Sequence, residues 1–251
     1  MSSHILKIAI LFILSAFACP QKKKVKIFLV GDSTISIKET KAYPETGWGM
    51  PFVHFWDSTV SIINRAKNGR STRTFIEEGL WKSIQNEAGE GDYVFIQFGH
   101  NDESKEKVDR YTTPEDYKRN LTRFINESRQ KKAIPILLTP VSRRKFKDGK
   151  ALETHELYSA LVKEVAKATD VPLIDLDQKS RELYQQMGEK TSKLLFLQLQ
   201  PGEHPNYPDG KVDNTHFSEL GARLIAQIIL KEIKALPHEL KTRIVIPIVK
   251  K

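Results

Sequence analysis

Four short segments of the sequence hold polar side chains whose types could do chemistry together: 31–34 (GDST), 67–70 (KNGR), 99–102 (GHND) and 213–216 (DNTH). Ser33 is a candidate nucleophile, but a serine hydroxyl attacks poorly unless a base lies within hydrogen-bond reach. Of the seven histidines, His216 is the best candidate for that base, because Asp213 lies three residues before it. A carboxylate at that spacing can hold the imidazole in one tautomer, so that the other ring nitrogen can take the serine proton.

A serine that attacks a carbonyl also needs hydrogen-bond donors where the oxyanion forms. The sequence offers the backbone N–H of Ser33, which we expect at the entrance of a helix, the backbone N–H of Gly69, and the side-chain amide of Asn101. Gly69 has no side chain, so another group can approach its backbone closely. The four segments therefore predict a nucleophile, a base, an acid and an oxyanion hole, provided that the fold brings them together.

The elements that must position these segments follow from the hydrophobic pattern. Five short apolar runs are mostly continuous, as is typical of strands covered on both faces of a parallel sheet; they lie at 26–30, 59–64, 93–98, 134–139 and 171–176. Apolar residues recur at helical spacing over 113–131, 154–169 and about 218–235. Strands that alternate with helices predict a doubly wound α/β layer fold.

One face of each predicted helix should be buried. The residues expected on these faces are Tyr117, Leu121, Phe124 and Ile125, then Leu157, Leu161, Val162 and Val165, and finally Leu220, Leu224, Ile225, Ile228 and Ile229. In open α/β sheets, active sites lie beyond the carboxyl ends of the strands. Three of the polar segments follow the first three apolar runs, and the fourth precedes the last predicted helix. We therefore expect all four at one rim of a single domain of about 24–236, while the tail after it adds an edge strand or packs on the core.

These four blocks resemble those of the SGNH, or GDSL-type, hydrolase superfamily: "GDST", "AKNGRS", "GHND" and "DNTH". The resemblance implies a three-layer α/β/α flavodoxin-like fold with a five-stranded parallel sheet, ester hydrolysis through an acyl-serine, and neither metal nor cofactor. It also implies that Ser33 is the nucleophile, His216 the base and Asp213 the residue that orients the base. The N–H groups of Ser33 and Gly69 and the amide of Asn101 would form the oxyanion hole.

A narrower resemblance covers nearly the whole chain after residue 24. The segments "FLVGDSTIS", "GWGMPF", "NRAKNGRSTRTFIEEG", "GDYVFIQFGHND" and "PDGKVDNTHFSELGA" are similar to the rhamnogalacturonan acetylesterase group, carbohydrate esterase family 12. The chain departs from the expected pattern at Lys67-Asn68, where small or apolar residues would precede the glycine. The resemblance implies removal of acetyl groups from a pectin backbone of alternating rhamnose and galacturonic acid.

Four residues are candidates for contacts with such a substrate. Arg70 and Arg73 sit beside the glycine block, and a guanidinium group matches a galacturonate carboxylate. Equally, either arginine could pair with Glu77 or Glu78 along a helix face. Tyr207 lies in the Pro- and Gly-rich stretch 200–210, which we expect to form an irregular wall of the cleft, and could stack on a sugar. Trp48 belongs either to the core or to the cleft wall.

The amino-terminal segment predicts export. Lys7 precedes an apolar run that is too short to span a bilayer and ends in Ala16-Phe17-Ala18, so residues 1–18 are interpreted as a signal peptide and 19–251 as one hydrolase domain. The alternatives are a buried first helix or a membrane anchor. Cys19, the single cysteine, excludes a disulfide within the chain and resembles the lipid-attachment residue of bacterial lipoproteins. The predicted location is periplasmic or extracellular.

Composition limits the remaining classes. The net charge is +9, but the basic residues are scattered rather than arranged in a stripe with aromatics, so no nucleic-acid partner is predicted. A basic surface would favour an acidic substrate by long-range attraction. No two histidines have ligand spacing on one predicted element, so no metal site is predicted. Two alternatives stay open: a lipase, lysophospholipase or thioesterase of the same superfamily, and a carbohydrate-binding envelope protein without activity.

Overall fold

A computed structural model describes residues 22–245 of the chain. The predicted signal peptide and Cys19 lie outside the described residues. The strands are β1 (Val25–Gly31), β2 (Val60–Asn64), β3 (Tyr93–Gln97), β4 (Ile134–Leu138), β5 (Phe146–Lys147), β6 (Lys150–Ala151), β7 (Leu173–Ile174), β8 (Phe196–Leu199) and β9 (Lys211–Phe217). The α-helices are α1 (Gly49–Phe52), α2 (Thr72–Glu77), α3 (Leu80–Glu87), α4 (Pro114–Gln130), α5 (Glu156–Thr169), α6 (Leu176–Thr191) and α7 (Glu219–Ala235). Short 3₁₀ helices lie at Thr40–Ala42, Val53–Phe55, Ser192–Leu195 and Glu239–Arg243.

The central sheet has five parallel strands in the order β2-β1-β3-β4-β7. This order is the flavodoxin-like one, in which the chain turns back between β1 and β3 and ligands bind at that switch point. The five strands coincide with the five apolar runs, apart from β7, which is shorter than predicted because α6 begins at Leu176. The predicted α/β fold with a five-stranded parallel sheet is confirmed.

Side chains of β1 alternate between two core layers. Ile27 and Leu29 pack with apolar residues of α1, α6 and α7, whereas Phe28 and Val30 pack with residues of α2, α3, α4 and α5. Because both faces of the strand are covered, both positions of the alternation are apolar, which explains the continuous pattern. The resulting arrangement is three layers, with helices on both faces of the sheet.

Two predictions about helix faces are wrong. Leu157 is 53% exposed and Leu220 is 47% exposed. The buried stripe of α5 is set by Tyr158, whose hydroxyl donates to Thr112 O at 2.5 Å, so the preceding residue points outward. On α7 the close approach is made by Gly221, where a Cβ atom would lie 1.9 Å from Leu195 O, and Leu220 is turned away.

Outside the sheet, β8 and β9 form an antiparallel ribbon that sequence patterning did not predict. The carboxyl-terminal segment packs on the core: Leu240 is fully buried and Ile244 bridges to Trp56. Within residues 22–245, no helix combines the length and apolar character needed to cross a bilayer.

Candidate active site

Ser33 stands on the turn that follows β1. Gly31 ends the strand, and a Cβ atom there would lie 2.3 Å from Gln97 O of β3, so only glycine fits between the two strands. Asp32 then accepts hydrogen bonds from the N–H and hydroxyl of Thr34 at 2.9 and 2.8 Å. The segment closes as a single turn, with the N–H of Ser36 donating to Asp32 O. The prediction that Ser33 lies at a helix entrance is wrong, because this turn does not continue as a helix.

Ser33, His216 and Asp213 form one hydrogen-bonded chain. Ser33 Oγ lies 2.9 Å from His216 Nε2, and His216 Nδ1 lies 2.8 Å from Asp213 Oδ2. The other carboxylate oxygen, Oδ1, accepts from the N–H groups of Thr215 and His216 at 2.7 and 2.9 Å. An N–H on Nδ1 therefore faces a carboxylate, which leaves Nε2 as the acceptor facing the serine hydroxyl.

Several interactions keep Asp213 ionised. Its partial burial would raise the pKa, but the hydrogen bond and charge of His216, together with the N–H groups of His216 and Thr215, outweigh burial. The pKa of Asp213 is thus held well below its usual range. An ionised carboxylate at this place stabilises a positively charged imidazole.

The acid Asp213 and the base His216 both lie in a bulge of the β8–β9 ribbon. Phe196 pairs with Phe217 and Gln198 with Val212, so residues 213–216 stand opposite Leu197 alone. The bulged segment is braced from the end of β4, because Arg144 N donates to Asn214 O at 2.8 Å and Arg143 Nη1 donates to Thr215 Oγ1 at 2.7 Å. The DNTH segment therefore belongs to a strand that precedes α7.

Gly69 and Asn101 lie on the same rim as Ser33. Gly69 has φ +74°, and a Cβ atom there would lie 3.0 Å from Arg110 Nη1, so its backbone conformation and its surroundings both favour glycine. Asn101 Nδ2 donates one of its two N–H bonds to Arg70 O at 3.0 Å. Within residues 22–245, the backbone N–H groups of Ser33 and Gly69 donate to no protein acceptor. These donors remain available to a ligand.

A cavity of about 790 Å³ opens beside Ser33. Apart from Gly69, every lining residue has a polar or charged side chain; the lining residues are Ser33, Glu45, Asn68, Gly69, Arg70, Thr74, Glu77, Glu78, Asn101, Lys107, Asp109, Arg110 and His216. No aromatic or aliphatic side chain is among these described residues. The site can therefore take a hydrophilic ligand with its reacting group against Ser33 and His216.

The sequence matches the model of the GDSL-like lipase/acylhydrolase family over residues 29–224. The chain belongs to this family. It is 42% identical over 226 residues to the rhamnogalacturonan acetylesterase RhgT of Bacillus subtilis, a match that covers 89% of this chain and 96% of RhgT. It is 36% identical over 211 residues to the probable rhamnogalacturonan acetylesterase YesY of the same organism, covering 84% of this chain and 93% of YesY.

Among solved structures, that of the B. subtilis protein YxiM is similar, with a TM-score of 0.72 and 24% identity. The match covers 86% of this chain and 57% of the YxiM chain. The resemblance to the SGNH, or GDSL-type, superfamily and to the rhamnogalacturonan acetylesterase group is confirmed. This GDSL-family protein is a carboxylic ester hydrolase.

Two buried acids of the GDSL-family site support its turns. Burial raises the pKa of Asp32 despite the two hydrogen bonds from Thr34. Burial also raises the pKa of Asp102 to about 7, although Oδ1 of this residue accepts from the N–H and hydroxyl of Thr72 at 2.9 and 2.6 Å. Asp102 thereby joins the end of β3 to the start of α2, next to Gly69.

The predicted substrate-contact residues occupy different places. Arg70 lines the cavity, but its Nη2 pairs with Glu78 at 2.9 Å. Arg73 is not among the cavity residues; it donates to Val108 O and Tyr111 O and so holds the segment that carries Arg110.

Neither predicted aromatic lines the cavity. Trp48 is fully buried and donates from Nε1 to Gln97 Oε1 at 3.0 Å, so the interpretation as a core residue is right and that as a cleft residue is wrong. Tyr207 does lie in the irregular loop between β8 and β9, where its hydroxyl donates to Ala42 O at 2.9 Å. This bond ties the loop to the 3₁₀ helix at Thr40–Ala42, and the stacking of the Tyr207 ring on a sugar stays a prediction.

Sequence reasoning missed several residues that build this family member's site. Lys38 and Glu45 lie beneath the Ser33 turn, Arg143 and Arg144 brace the bulge, and Arg110 stands beside Gly69. The pair Arg143-Arg144 was detectable, because it follows the fourth apolar run as the other site residues follow theirs. Among the described residues, no cluster of three or more His, Cys, Asp or Glu side chains could hold a metal ion.

Proposed function

We propose that this ester hydrolase is a carbohydrate acetylesterase that removes acetyl groups from acetylated rhamnogalacturonan through an acyl-serine intermediate. The observation that carries the proposal is the polar cavity against Ser33 and His216, which suits a small acyl group on a large hydrophilic carrier. The identity of 42% to RhgT over nearly the whole of both chains supports the same substrate class.

The first half of the reaction uses the hydrogen-bonded chain. As Ser33 Oγ attacks the acetyl carbonyl carbon, its proton passes to His216 Nε2, 2.9 Å away. The carbonyl electrons move onto oxygen, and the oxyanion is held by the N–H groups of Ser33 and Gly69 and by the second N–H of Asn101 Nδ2. Asp213 remains ionised and stabilises the imidazolium ion.

The second half returns the enzyme to its starting state. His216 donates the proton from Nε2 to the sugar oxygen, the ester C–O bond breaks, and the sugar leaves as an alcohol with acetyl-Ser33 remaining. Water then gives a proton to Nε2 and attacks the acetyl carbon. Collapse of this second intermediate expels Ser33 Oγ, which regains the proton, and releases acetate.

The same cavity argues against a lipase or lysophospholipase. A long acyl chain needs an apolar channel, since each buried CH₂ group contributes about 0.8 kcal/mol. The described lining residues offer no aliphatic or aromatic side chain for such contacts. We therefore expect hydrolysis of p-nitrophenyl esters to fall steeply as the acyl chain lengthens.

Galacturonate residues would bring carboxylates into the cavity, and Arg110 is the best placed residue to bind one. Its Nη1 lies beside Gly69 and donates to no protein acceptor within residues 22–245, while Nε and Nη2 are held by the exposed Asp109 at 3.2 and 3.1 Å. Arg70, in contrast, already uses its guanidinium on Glu78 and on Asn68 O. Arg110 thus replaces Arg70 and Arg73 as the proposed carboxylate ligand.

We also propose export, with residues 1–18 as a signal peptide and acylation at Cys19. Expression of the full chain in a bacterial host should yield a mature protein that begins at Cys19, as measured by mass spectrometry of the exported fraction. A lipid-modified peptide that is lost in Cys19→Ser would support the anchor, whereas an unprocessed amino terminus would contradict both parts.

The central test is a substrate panel with purified protein. We expect acetate release from acetylated rhamnogalacturonan and from p-nitrophenyl acetate, and none in Ser33→Ala. Acetylated xylan and p-nitrophenyl palmitate are the comparison substrates. Release from xylan alone would contradict the pectin assignment, and a preference for the palmitate would contradict the acetylesterase assignment.

A further inference from the structure

Lys38 is buried directly beneath the Ser33 turn. Its side chain is 0% exposed, which is rare for lysine unless every proton is matched by an acceptor. Here Nζ lies 2.5 Å from Ser33 O, 2.9 Å from Asn68 Oδ1 and 2.6 Å from Glu45 Oε1. An ammonium group has three donors, and these three oxygens satisfy all of them.

The three acceptors belong to different parts of the site. Ser33 O is the carbonyl of the proposed nucleophile, Asn68 directly precedes Gly69, and Glu45 lines the cavity. Ser36 belongs to the same turn and donates its single hydroxyl proton to Asn68 Oδ1 at 2.5 Å. The two donors therefore tie the serine turn to the loop that carries Gly69.

The charge of Lys38 is also matched. Burial lowers its pKa, but the hydrogen bond to Glu45 and the charges of Glu45, Asp32 and Asp213 oppose that shift. The charged form is therefore stabilised from several sides of the pocket. The Lys38 side chain is therefore held rigidly, because rotation about any of its bonds would leave a buried polar atom without a hydrogen-bond partner.

We propose that Lys38 is a positioning residue for ester hydrolysis: through Asn68 it fixes the distance between the Ser33 N–H and the Gly69 N–H that receive the oxyanion. This inference rests on the proposed function. It also explains why Lys67-Asn68 departs from the small or apolar pair expected there, since the asparagine oxygen is the acceptor that joins the two donors. The oxyanion hole of this chain would thus be built from two loops that a buried cation and the Ser36 hydroxyl hold together.

Asn68→Ala is the cleanest variant, because Asn68 is exposed and its loss leaves the Lys38–Glu45 pair intact. One oxyanion-hole donor is worth about 10²–10³ in kcat, so displacement of one should lower kcat for p-nitrophenyl acetate about 10- to 100-fold. We expect KM to stay within about twofold and fluorophosphonate labelling of Ser33 to slow by the same factor as kcat. Lys67→Ala, an exposed neighbour that reaches Glu78 at 3.4 Å, is the matched control and should keep kcat within about twofold.

A second pair of variants separates positioning from stability. Lys38→Met leaves Glu45, whose side chain is only 14% exposed, without its partner and should lower both the melting temperature and kcat. Adding Glu45→Gln should restore much of the melting temperature but not kcat, because the ammonium group that joins Ser33 O to Asn68 Oδ1 is still missing. Lys38→Met with Asn68→Ala should fall no further in kcat than the larger single effect, since both changes break one link.

Three outcomes would overturn the inference: wild-type kcat in Asn68→Ala, recovery of kcat together with stability in the Lys38→Met/Glu45→Gln variant, or fully additive losses of kcat in the Lys38/Asn68 pair. Failure of the proposed function has a different signature, because the unmodified protein would then neither hydrolyse p-nitrophenyl acetate nor react with the fluorophosphonate at Ser33. That result would overturn both proposals.

Discussion

Asp213→Asn should change the tautomer of His216 while it preserves the hydrogen bonds that shape the segment around it. The asparagine Oδ1 can still accept from the N–H groups of Thr215 and His216, at the 2.7 and 2.9 Å now observed. The change falls on Oδ2, which becomes an NH₂ group 2.8 Å from His216 Nδ1. Because NH₂ donates, Nδ1 must accept, and the ring proton moves to Nε2.

The consequence follows from the 2.9 Å contact between Nε2 and Ser33 Oγ. A protonated Nε2 cannot take the serine proton, so the reacting tautomer becomes the minor one. In the serine protease template the equivalent change costs about 10⁴ in kcat, or roughly 5.5 kcal/mol of transition-state stabilisation. With Asp213 partly open to solvent, we expect a loss of about 10³- to 10⁴-fold in kcat and little change in KM. The melting temperature should fall, because the neutral amide lacks the negative charge that the folded state stabilises by lowering the pKa of Asp213, but less than in Asp213→Ala.

Initial rates with p-nitrophenyl acetate and thermal melts provide the assay, and two variants provide the controls. Asp209→Asn, on the exposed loop before β9, should have the kcat and the melting temperature of the unmodified protein. Asp213→Ala should match Asp213→Asn in kcat but melt lower, because two backbone N–H groups lose a charged acceptor worth about 1.5–3 kcal/mol each. A loss of less than about tenfold in kcat for Asp213→Asn would refute the idea that this carboxylate sets the tautomer.

Three further predictions concern the surroundings of the site. Gly69→Ala should lower kcat by about 10² or more with KM little changed, because φ is +74° and the new methyl group would lie 3.0 Å from Arg110 Nη1; unchanged kinetics would place the oxyanion elsewhere. Arg110→Gln should raise KM for acetylated rhamnogalacturonan about tenfold while leaving p-nitrophenyl acetate unaffected, and equal effects on both substrates would remove the carboxylate role. The pKa of Asp102, raised from 3.8 to about 7, means that the folded state binds the extra proton and that the free energy of unfolding falls as pH rises between these values. The melting temperature should therefore fall less between pH 5 and pH 8 in Asp102→Asn than in the unmodified chain. An equal fall in both proteins would contradict this pH dependence.

The parallel sheet could be predicted from the sequence because both faces of each central strand are covered by helices. A continuous apolar run such as 93–98 is typical of a strand buried on both faces, and the helices at 113–131 and 218–235 were predicted within one residue at each end. Ser33 was also predictable, since strand ends of a parallel sheet meet at one rim. His216 and Asp213 were predicted from their spacing of three residues, although they lie in the β8–β9 ribbon rather than at a strand end of that sheet. Leu220 was not, because the register of α7 against its neighbour is set by the contact of Gly221 with Leu195.

The supporting residues were harder to predict because their roles depend on contacts distant in sequence. Lys38 resembles any surface lysine until the fold places Glu45 and Asn68 around its ammonium group. Arg110 carries no motif and reaches Gly69 only through the loop between β3 and α4. Trp48 is not a cleft residue, since its ring is buried in the core and its one polar atom, Nε1, donates to the buried Gln97.

The proposed mechanism depends above all on the Ser33 hydroxyl being the nucleophile that His216 activates. It can be tested by peptide mass spectrometry of the protein after brief exposure to a fluorophosphonate, alone and with acetylated rhamnogalacturonan as competitor. We predict a single adduct on Ser33 that is suppressed by the substrate and forms at least about 10²-fold more slowly in His216→Ala. An adduct on another residue, or equally fast labelling of Ser33 without the imidazole, would contradict this mechanism.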